Sequence, residues 1–512
     1  MTQHFDVAVV GGQTSGIVAA ALLAKRGRRV ALFDHGEHTA FYRRKGLRLP
    51  LLPSLIPAFE TSPVVQKVHG ELGLSPDLRT STAALKPSFQ AVTPTHRIDI
   101  AADRAELLAE LGQEFPALKD AVATFLERVS AIDAEISTFL AAAPALPQRG
   151  FFDRLRHRRI LSSIAHLDQT VTKAELASLI PADHPLVDLF LTPLAFFAHL
   201  DTETPSLFAA ARLIARYFNG VVGFNDRLGG MNAALWRAAK QAGVEIFRGA
   251  VVKSVTVSGA RLTAATVDGV KGSVTADYFV GNTYGPFSEV LPQCRAQARY
   301  AIQEQAVRPS RSLMVLNLVV RKEVIPTSMA GAVFLLNGRR QPRGDDGVDP
   351  PLFVERFPAR RGEPGPVRGT DTIEDVDHEV LCVACPVATA EVSRSPERLA
   401  VLKQQMIERV GRLVPFLRKY LIDASLPTET SSWDVESGDV AGRVDPWMLH
   451  PLFDPPARPM LGIAAQSTTT PFTNLFHCGY DVVPGLGIEG EYLAGIYAAD
   501  LVTLRAKRNV KR

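Results

Sequence analysis

Residues 9–16 read VVGGQTSG. The stretch falls one residue short of G-x-G-x-x-G, the pattern that lets a chain turn tightly under a dinucleotide pyrophosphate. Gly11, Gly12 and Gly16 are in place, and Gln13 stands where the middle glycine of the pattern belongs. The surroundings make the stretch informative, because a glycine pattern alone recurs by chance. Before it, FDVAVV (5–10) is a compact apolar strand. After it, GIVAAALLAK (16–25) is an alanine-rich helix that Gly27 closes, and RRVALFD (28–34) is a second strand ending in Asp34. Strand, glycine turn, helix, strand, acid is the order of a dinucleotide-binding βαβ unit, with the acid placed to hydrogen-bond an adenosine ribose. An acid at that point disfavours a 2′-phosphate, so FAD or NAD is expected over NADP.

The glycines have separate roles. Gly11 permits the tight turn, the middle position lets the backbone approach the pyrophosphate, and Gly16 allows close helix–strand packing. Gln13 fails only the middle role. Its side chain either points away or fills the phosphate position. The free N–H groups of the helix start form an anion site in both cases. Replacing Gln13 by glycine is expected to keep the fold and tighten dinucleotide binding. Two readings stand side by side, a working dinucleotide site and a fold that has lost its ligand.

Beyond Asp34, FYRRKGLRLPLLPSLIPAF (41–59) carries Arg43, Arg44, Lys45 and Arg48 beside a proline-broken apolar run. The cluster reads equally as a phosphate contact, through Arg43, and as a solvated turn. Residues 116–143 have helical spacing of apolar positions, and APALPQRG (143–150) breaks it. A second helical region, 151–218, contains PLVDLFLTPLAFFAHL (185–200), which is either buried core or the wall of an apolar tunnel. LGGMNAALWRAAKQAGVEIFRGAVVKSVTV (228–257) is a glycine turn, helix and strands, continued by RLTAATVDG and GSVTADYFVGN. SLMVLNLVV (312–320), GAVFLLNG and HEVLCVACPV are further strands, and 396–421 is helical. GRRQPRGDDGVDPP (338–351) and ARRGEPGPVRG (359–369) read as exposed loops. Cys382 and Cys385 lie in a strand, where positions three apart face opposite ways, so they are two buried small residues rather than a redox pair.

The chain has 512 residues, 46% apolar and 21% charged, as folded proteins have. A net charge of +4 is too small for a nucleic-acid binder, and four cysteines are too few for a disulfide scaffold. No uninterrupted apolar run reaches the roughly 20 residues of a spanning helix, and the start does not read as a signal peptide. The expected location is the cytoplasm or the inner face of a membrane.

Near the other end, NLFHCGYDVVPGLGIEGEYLAGIYAADLV (474–502) is a short strand, a turn with Gly485, Gly487 and Gly490, and a helix. It is a second glycine-rich strand-to-helix junction. Nothing in the sequence gives all three glycines a packing role, which suggests a close backbone approach by a ligand. Polar groups beside this turn are His477, Tyr480, Asp481 and Glu489. His477 reads also as a strand-end residue bonded to backbone, and Glu489 as a helix cap. No metal-ligand pattern is visible.

Three segments together, 6–34, 228–283 and 474–500, resemble the phytoene desaturase and carotenoid isomerase-like FAD/NAD(P)-binding oxidoreductases, within the wider amine oxidase-type flavoprotein superfamily. The resemblance implies an α/β fold: a Rossmann-like FAD-binding domain assembled from discontinuous segments, with an α+β substrate domain. It divides the chain into FAD-binding parts at 1–85, 227–295 and 456–504, a helical substrate or cap region at 86–226, a substrate-domain sheet at 296–455 and a basic tail at 505–512. It places Gly11, Gly12, Gln13, Ser15 and Gly16 at the pyrophosphate, Asp34 on the ribose and Val252 by the adenine. Gly479, Gly485, Gly487 and Gly490 fall around the flavin. The implied activity is an FAD-dependent desaturase, dehydrogenase or isomerase on a lipophilic, polyene or isoprenoid-like substrate. Hydride passes to flavin N5, and oxygen, a quinone or another acceptor reoxidises the flavin. A peripheral membrane contact through the tail RAKRNVKR (505–512), or a homo-oligomer, is a further expectation. The alternative is a non-catalytic scaffold or partner subunit that reuses the fold.

Overall fold

The computed structural model describes residues 3–34, 41–57, 59–74, 80–142, 155, 158–159, 180–181, 183–200, 205–224, 230–283, 285–309, 311–337, 350–359, 377–388, 395–429, 450–454 and 461–510. Two large sheets organise them. The first is built around β1 (Gln3–Val10). It pairs in parallel with β2 (Val30–Asp34) on one side and with Ser273–Gly281 on the other. Glu245–Arg248 adds in parallel to β2, and Leu475–His477 adds in parallel to Ser273–Gly281. The antiparallel strands Val252–Ser258 and Arg261–Val267 complete a seven-stranded sheet. Segments far apart in sequence thus share one sheet, as the discontinuous Rossmann-like domain requires.

Helix α1 (Thr14–Lys25) is buried from Thr14 to Ala24. Burial on all sides explains why its sequence is apolar all round instead of striped. Its first turn packs on the C-terminal helix Ile488–Val510, where a Cβ on Gly495 would stand 2.7 Å from the Ser15 carbonyl oxygen. Small residues on both helices allow that approach.

The second sheet has eight strands. Arg311–Arg321, His378–Ala388 and Leu352–Pro358 form its antiparallel centre. Phe89–Val92 and Arg97–Ile100 join its edge beside Ala332–Leu335. The region 86–226 is therefore not helical throughout. Four-residue strands next to long helical periodicity are too short for a period to show. The long helix appears as Lys119–Ala141. Cys382 faces the larger core with Val380 and Ala384, while Cys385 faces the opposite core with Leu381 and Val383. Both are free thiols, as their spacing in a strand predicts.

In 185–200, Phe190, Phe196 and Phe197 are buried. Phe196 lies 5.4 Å from the Phe334 ring and Phe197 lies 5.9 Å from that of Phe353, both on the second sheet. Of the two readings of this stretch, buried core is the one observed. The loops expected at 338–351 and 359–369 fall almost wholly outside the described residues. Among the described residues, no helix is long and apolar enough to cross a membrane.

Candidate dinucleotide-binding site

The first glycine junction closes as its sequence dictates. Gly11 has φ 109°, and its N–H donates to the Phe33 carbonyl at 2.8 Å. A Cβ on Gly16 would stand 2.5 Å from the Gly11 carbonyl oxygen, so close helix–strand packing is what this glycine provides. A Cβ on Gly12 would stand 2.5 Å from Asp34 Oδ1. Asp34 is therefore drawn over the turn, and it is fully buried. The Ala250 N–H donates to the Asp34 carbonyl at 3.1 Å, and Val252 begins the next strand, buried. Asp34 and the glycine turn thus meet at the carboxyl ends of parallel strands, where open α/β sheets bind their ligands, with Val252 two residues beyond Ala250.

Gln13 is the N-cap of α1, with φ −71° and ψ 167° and no side-chain capping bond. This is extended backbone that any residue adopts, so the missing glycine causes no strain. The side chain is 5% exposed. Its Oε1 lies 3.5 Å from Asn282 Nδ2, and its Nε2 has no partner. Ser15 is fully buried, and its hydroxyl also has no partner. Two buried polar groups without acceptors flank a helix N-terminus, and that donor set fits a diphosphate.

Spacing in the sequence does not single out Asn282, although a polar residue closing an apolar strand after a glycine is visible there. Its N–H donates to the Val10 carbonyl at 2.7 Å, and its Oδ1 accepts from the Gly16 N–H at 2.9 Å. Its Nδ2 donates to the Cys478 carbonyl at 3.0 Å. One side chain thus brings the C-terminal glycine junction against the first.

At that second junction, His477 Nε2 lies 2.8 Å from Asp481 Oδ2, and Nδ1 lies 3.3 Å from the Tyr300 hydroxyl. Burial alone would lower the His477 pKa, but the Asp481 carboxylate outweighs it and holds the imidazole above its ordinary value. The pair is a hydrogen-bonded histidine–carboxylate dyad. Gly479 lies under it, since a Cβ there would stand 2.7 Å from Asp481 Oδ1. Tyr480 packs between His199 at 5.0 Å and Phe453 at 5.9 Å, ring centre to ring centre. His199 is a neighbour that its sequence position does not reveal.

Two expectations are corrected here. The glycines of the turn do have packing roles. A Cβ on Gly485 would meet Ile463 Cα at 2.6 Å, and one on Gly487 or Gly490 would run into the carbonyl oxygen of Phe197 or Val483 respectively. Their partners lie outside the turn or across it, where sequence spacing cannot show them. Glu489 is a structural ion, not a poised acid. Arg212 grips it with two prongs, Nε to Oε2 at 2.8 Å and Nη2 to Oε1 at 2.7 Å. The same guanidinium reaches Asp133 at 2.6 Å. Burial would raise the Glu489 carboxyl, but Arg212 outweighs it and holds the carboxyl below its ordinary value.

Arg43 stands directly across from Arg48 on the hairpin 41–50. By strand alternation it does not share the face of Tyr42 and Arg44, which bond to Ser425 at 2.9 Å and Asp423 at 2.8 Å on the second sheet. Among the described residues, no group of three or more His, Cys, Asp or Glu is arranged to hold a metal ion.

Comparison with known proteins agrees with this geometry. A family profile described as an NAD(P)-binding Rossmann-like domain matches residues 9–72. A curated relative, a 4,4′-diapolycopen-4-al dehydrogenase of Metabacillus indicus, is 23% identical over 308 residues, 57% of this chain. The match spans 59% of that relative's length. An oxidoreductase structure from Methanosarcina mazei superposes with a TM-score of 0.59 at 14% identity, covering 98% of this chain and all of the other. A redesigned putrescine oxidase gives a TM-score of 0.57 at 17% identity, with 98% of this chain and 100% of that one covered. At these identities the likeness shows the fold alone: a Rossmann-like domain of discontinuous segments with a separate α+β sheet.

Proposed function

We propose that the chain is an FAD-dependent oxidoreductase acting on a lipophilic, unsaturated substrate. The observation that carries this reading is the convergence of the two glycine junctions on Asn282. It brings the start of α1 and the strand end at Cys478 onto one side chain, as a dinucleotide reaching both junctions would require. Gln13, Ser15 and the first turn of α1 would hold the diphosphate, Asp34 the ribose, and Val252 the adenine. When bound, FAD would supply the acceptor for a hydride from a substrate C–H bond.

The chain's own residues prepare that chemistry by orientation and charge. The His477–Asp481 dyad sets a hydrogen-bonded imidazole and carboxylate beside the second junction, and Tyr480 is held between two rings. Phe196 and Phe197 pack on Phe334 and Phe353 of the second sheet, and the Phe197 carbonyl lies against Gly487, so this side of the second junction is dry protein interior. The polyene-like substrate class follows the name of the Metabacillus indicus relative. Desaturation, dehydrogenation and isomerisation all fall within this reading, with oxygen, a quinone or another acceptor completing a redox cycle.

A second reading, a scaffold without cofactor, draws on one observation: protein atoms account for all three glycines of the C-terminal turn. Purified protein separates the two. A yellow chromophore released on denaturation supports the enzyme. Colourless protein that takes up no added FAD supports the scaffold. Bleaching of the bound flavin by a polyene aldehyde or alcohol under anaerobic conditions then tests the substrate class.

A further inference from the structure

We propose that Gln13 is a ligand-binding residue whose carboxamide donates an N–H to a diphosphate oxygen at the start of α1, with Asn282 aiming it. The inference rests on the reading of the chain as a dinucleotide-binding protein and goes beyond it. It gives a side chain the role that a bare glycine backbone fills in the G-x-G-x-x-G pattern.

Among the described residues, nothing accepts the N–H of this carboxamide; its oxygen has only the 3.5 Å contact from Asn282 Nδ2. The backbone at Gln13 is extended, so the position neither needs glycine nor gains from losing it. Glutamine is not among the residues that cap helices well, and here its side chain makes no capping bond. The side chain is nevertheless 5% exposed, with Nε2 unpartnered. Burying a donor without an acceptor is destabilising, and a protein retains one where something outside the fold completes it.

Asn282 explains the orientation. It takes the Gly16 N–H for itself at 2.9 Å, which removes one first-turn donor from any anion at the helix start. The other end of the same carboxamide faces Gln13 Oε1 at 3.5 Å. With its oxygen turned toward Asn282, the Gln13 side chain presents Nε2 as a replacement donor. The Ser15 hydroxyl, fully buried and unpartnered, is a second donor on the same turn. Three features of this helix start, the dipole, Gln13 Nε2 and Ser15 Oγ, favour negative charge.

This reverses the expectation from sequence that glycine at position 13 tightens binding. The test titrates wild type, Gln13→Gly and Gln13→Glu with FAD by calorimetry or flavin fluorescence quenching, and follows thermal unfolding of each without FAD. Loss of a hydrogen bond to a charged group should weaken FAD binding by Gln13→Gly about tenfold or more. Gln13→Glu should weaken it further, because it sets a carboxylate against the diphosphate. Without FAD, Gln13→Gly should unfold at the wild-type temperature or above, since glycine caps helices well and the unpartnered donor is gone. Equal or tighter FAD binding by Gln13→Gly overturns the proposal and leaves the flavoprotein reading standing. So does a Gln13→Gly protein that is destabilised without FAD, which would make the side chain structural. Wild type that takes up no FAD overturns both.

Discussion

The Gly16 N–H donates to Asn282 Oδ1 across 2.9 Å, although the two residues come from separate parts of the chain. The bond ties the first turn of α1 to the end of the strand Ser273–Gly281, and the same side chain goes on to the Cys478 carbonyl. Asn282→Ala removes both bonds and leaves buried backbone groups unpaired. We expect a loss of about 2–6 kcal/mol in urea unfolding, from about 1–3 kcal/mol for each of the two unsatisfied groups. Asn282→Asp keeps an acceptor for Gly16 but loses the donor to Cys478. It should weaken FAD binding more than Asn282→Ala does, because it adds negative charge beside the anion site.

The ion pair of Arg212 with Glu489 predicts a larger effect on stability. Arg212 is 1% exposed and also holds Asp133. Arg212→Ala takes the two-pronged partner from the buried Glu489 and leaves Asp133 only Arg216, at 3.8 Å, so about 3–5 kcal/mol should be lost. Arg212→Lys should recover only part of it, because an ammonium cannot make the two-pronged contact. Equal stability of wild type and Arg212→Ala in denaturant titrations would show that the network carries no weight.

The second glycine turn gives a contrast within one protein. Gly487 has φ 55° and faces the Phe197 carbonyl, and Gly490 faces that of Val483. Alanine at either position must displace backbone and should prevent folding or cost several kcal/mol. Gly411, in the helix Pro396–Leu413, has nothing within 4 Å of a Cβ. Gly411→Ala should stabilise by about 0.5–1 kcal/mol. Thermal unfolding of the three variants reads out the contrast.

The Rossmann-like half is legible in the sequence because strand, glycine turn and helix lie within thirty-odd residues and carry their own periodicity. The sheet that builds the second half is legible only in its long strands. Phe89–Val92 is not, being four residues long and committed by a partner at Ala332–Leu335. The site divides the same way. Gly11, Gly16 and Asp34 act on near neighbours, and spacing alone reveals what they do. Asn282 acts on Gly16 and Cys478, Arg212 acts on Glu489, and Phe197 acts on Gly487. Such long-range partners leave no period in a sequence. The glycines of the C-terminal turn show the hazard, since a need for close approach is visible and its partner is not.

Buried ionisable groups predict the pH profile of stability. His69 is held neutral by burial, its pKa lowered from 6.5 to about 4. Between those values the unfolded chain binds more protons, so stability falls as the pH drops, at up to about 1.4 kcal/mol per pH unit. His477 acts in the opposite sense. Burial lowers its pKa, but Asp481 raises it above 6.5, so its contribution is complete below 6.5 and is lost as pH rises through the folded value. Glu489 is held below 4.5 by Arg212 against the effect of burial, and its contribution is lost as pH falls through its folded value. Denaturant titrations at several pH values should show a slope on the acid side that His69→Gln reduces. An unchanged slope in that variant would contradict the assignment.

The central claim is that the two glycine junctions form one dinucleotide site. Crystals of the protein grown with FAD test it most directly. The account predicts an extended dinucleotide with its ribose at Asp34, its diphosphate at Gln13 and Ser15, and its flavin end at the turn beside Tyr480 and Asp481. A structure grown in saturating FAD with no dinucleotide along that edge, and with the Gln13 side chain filling the diphosphate position, would contradict it.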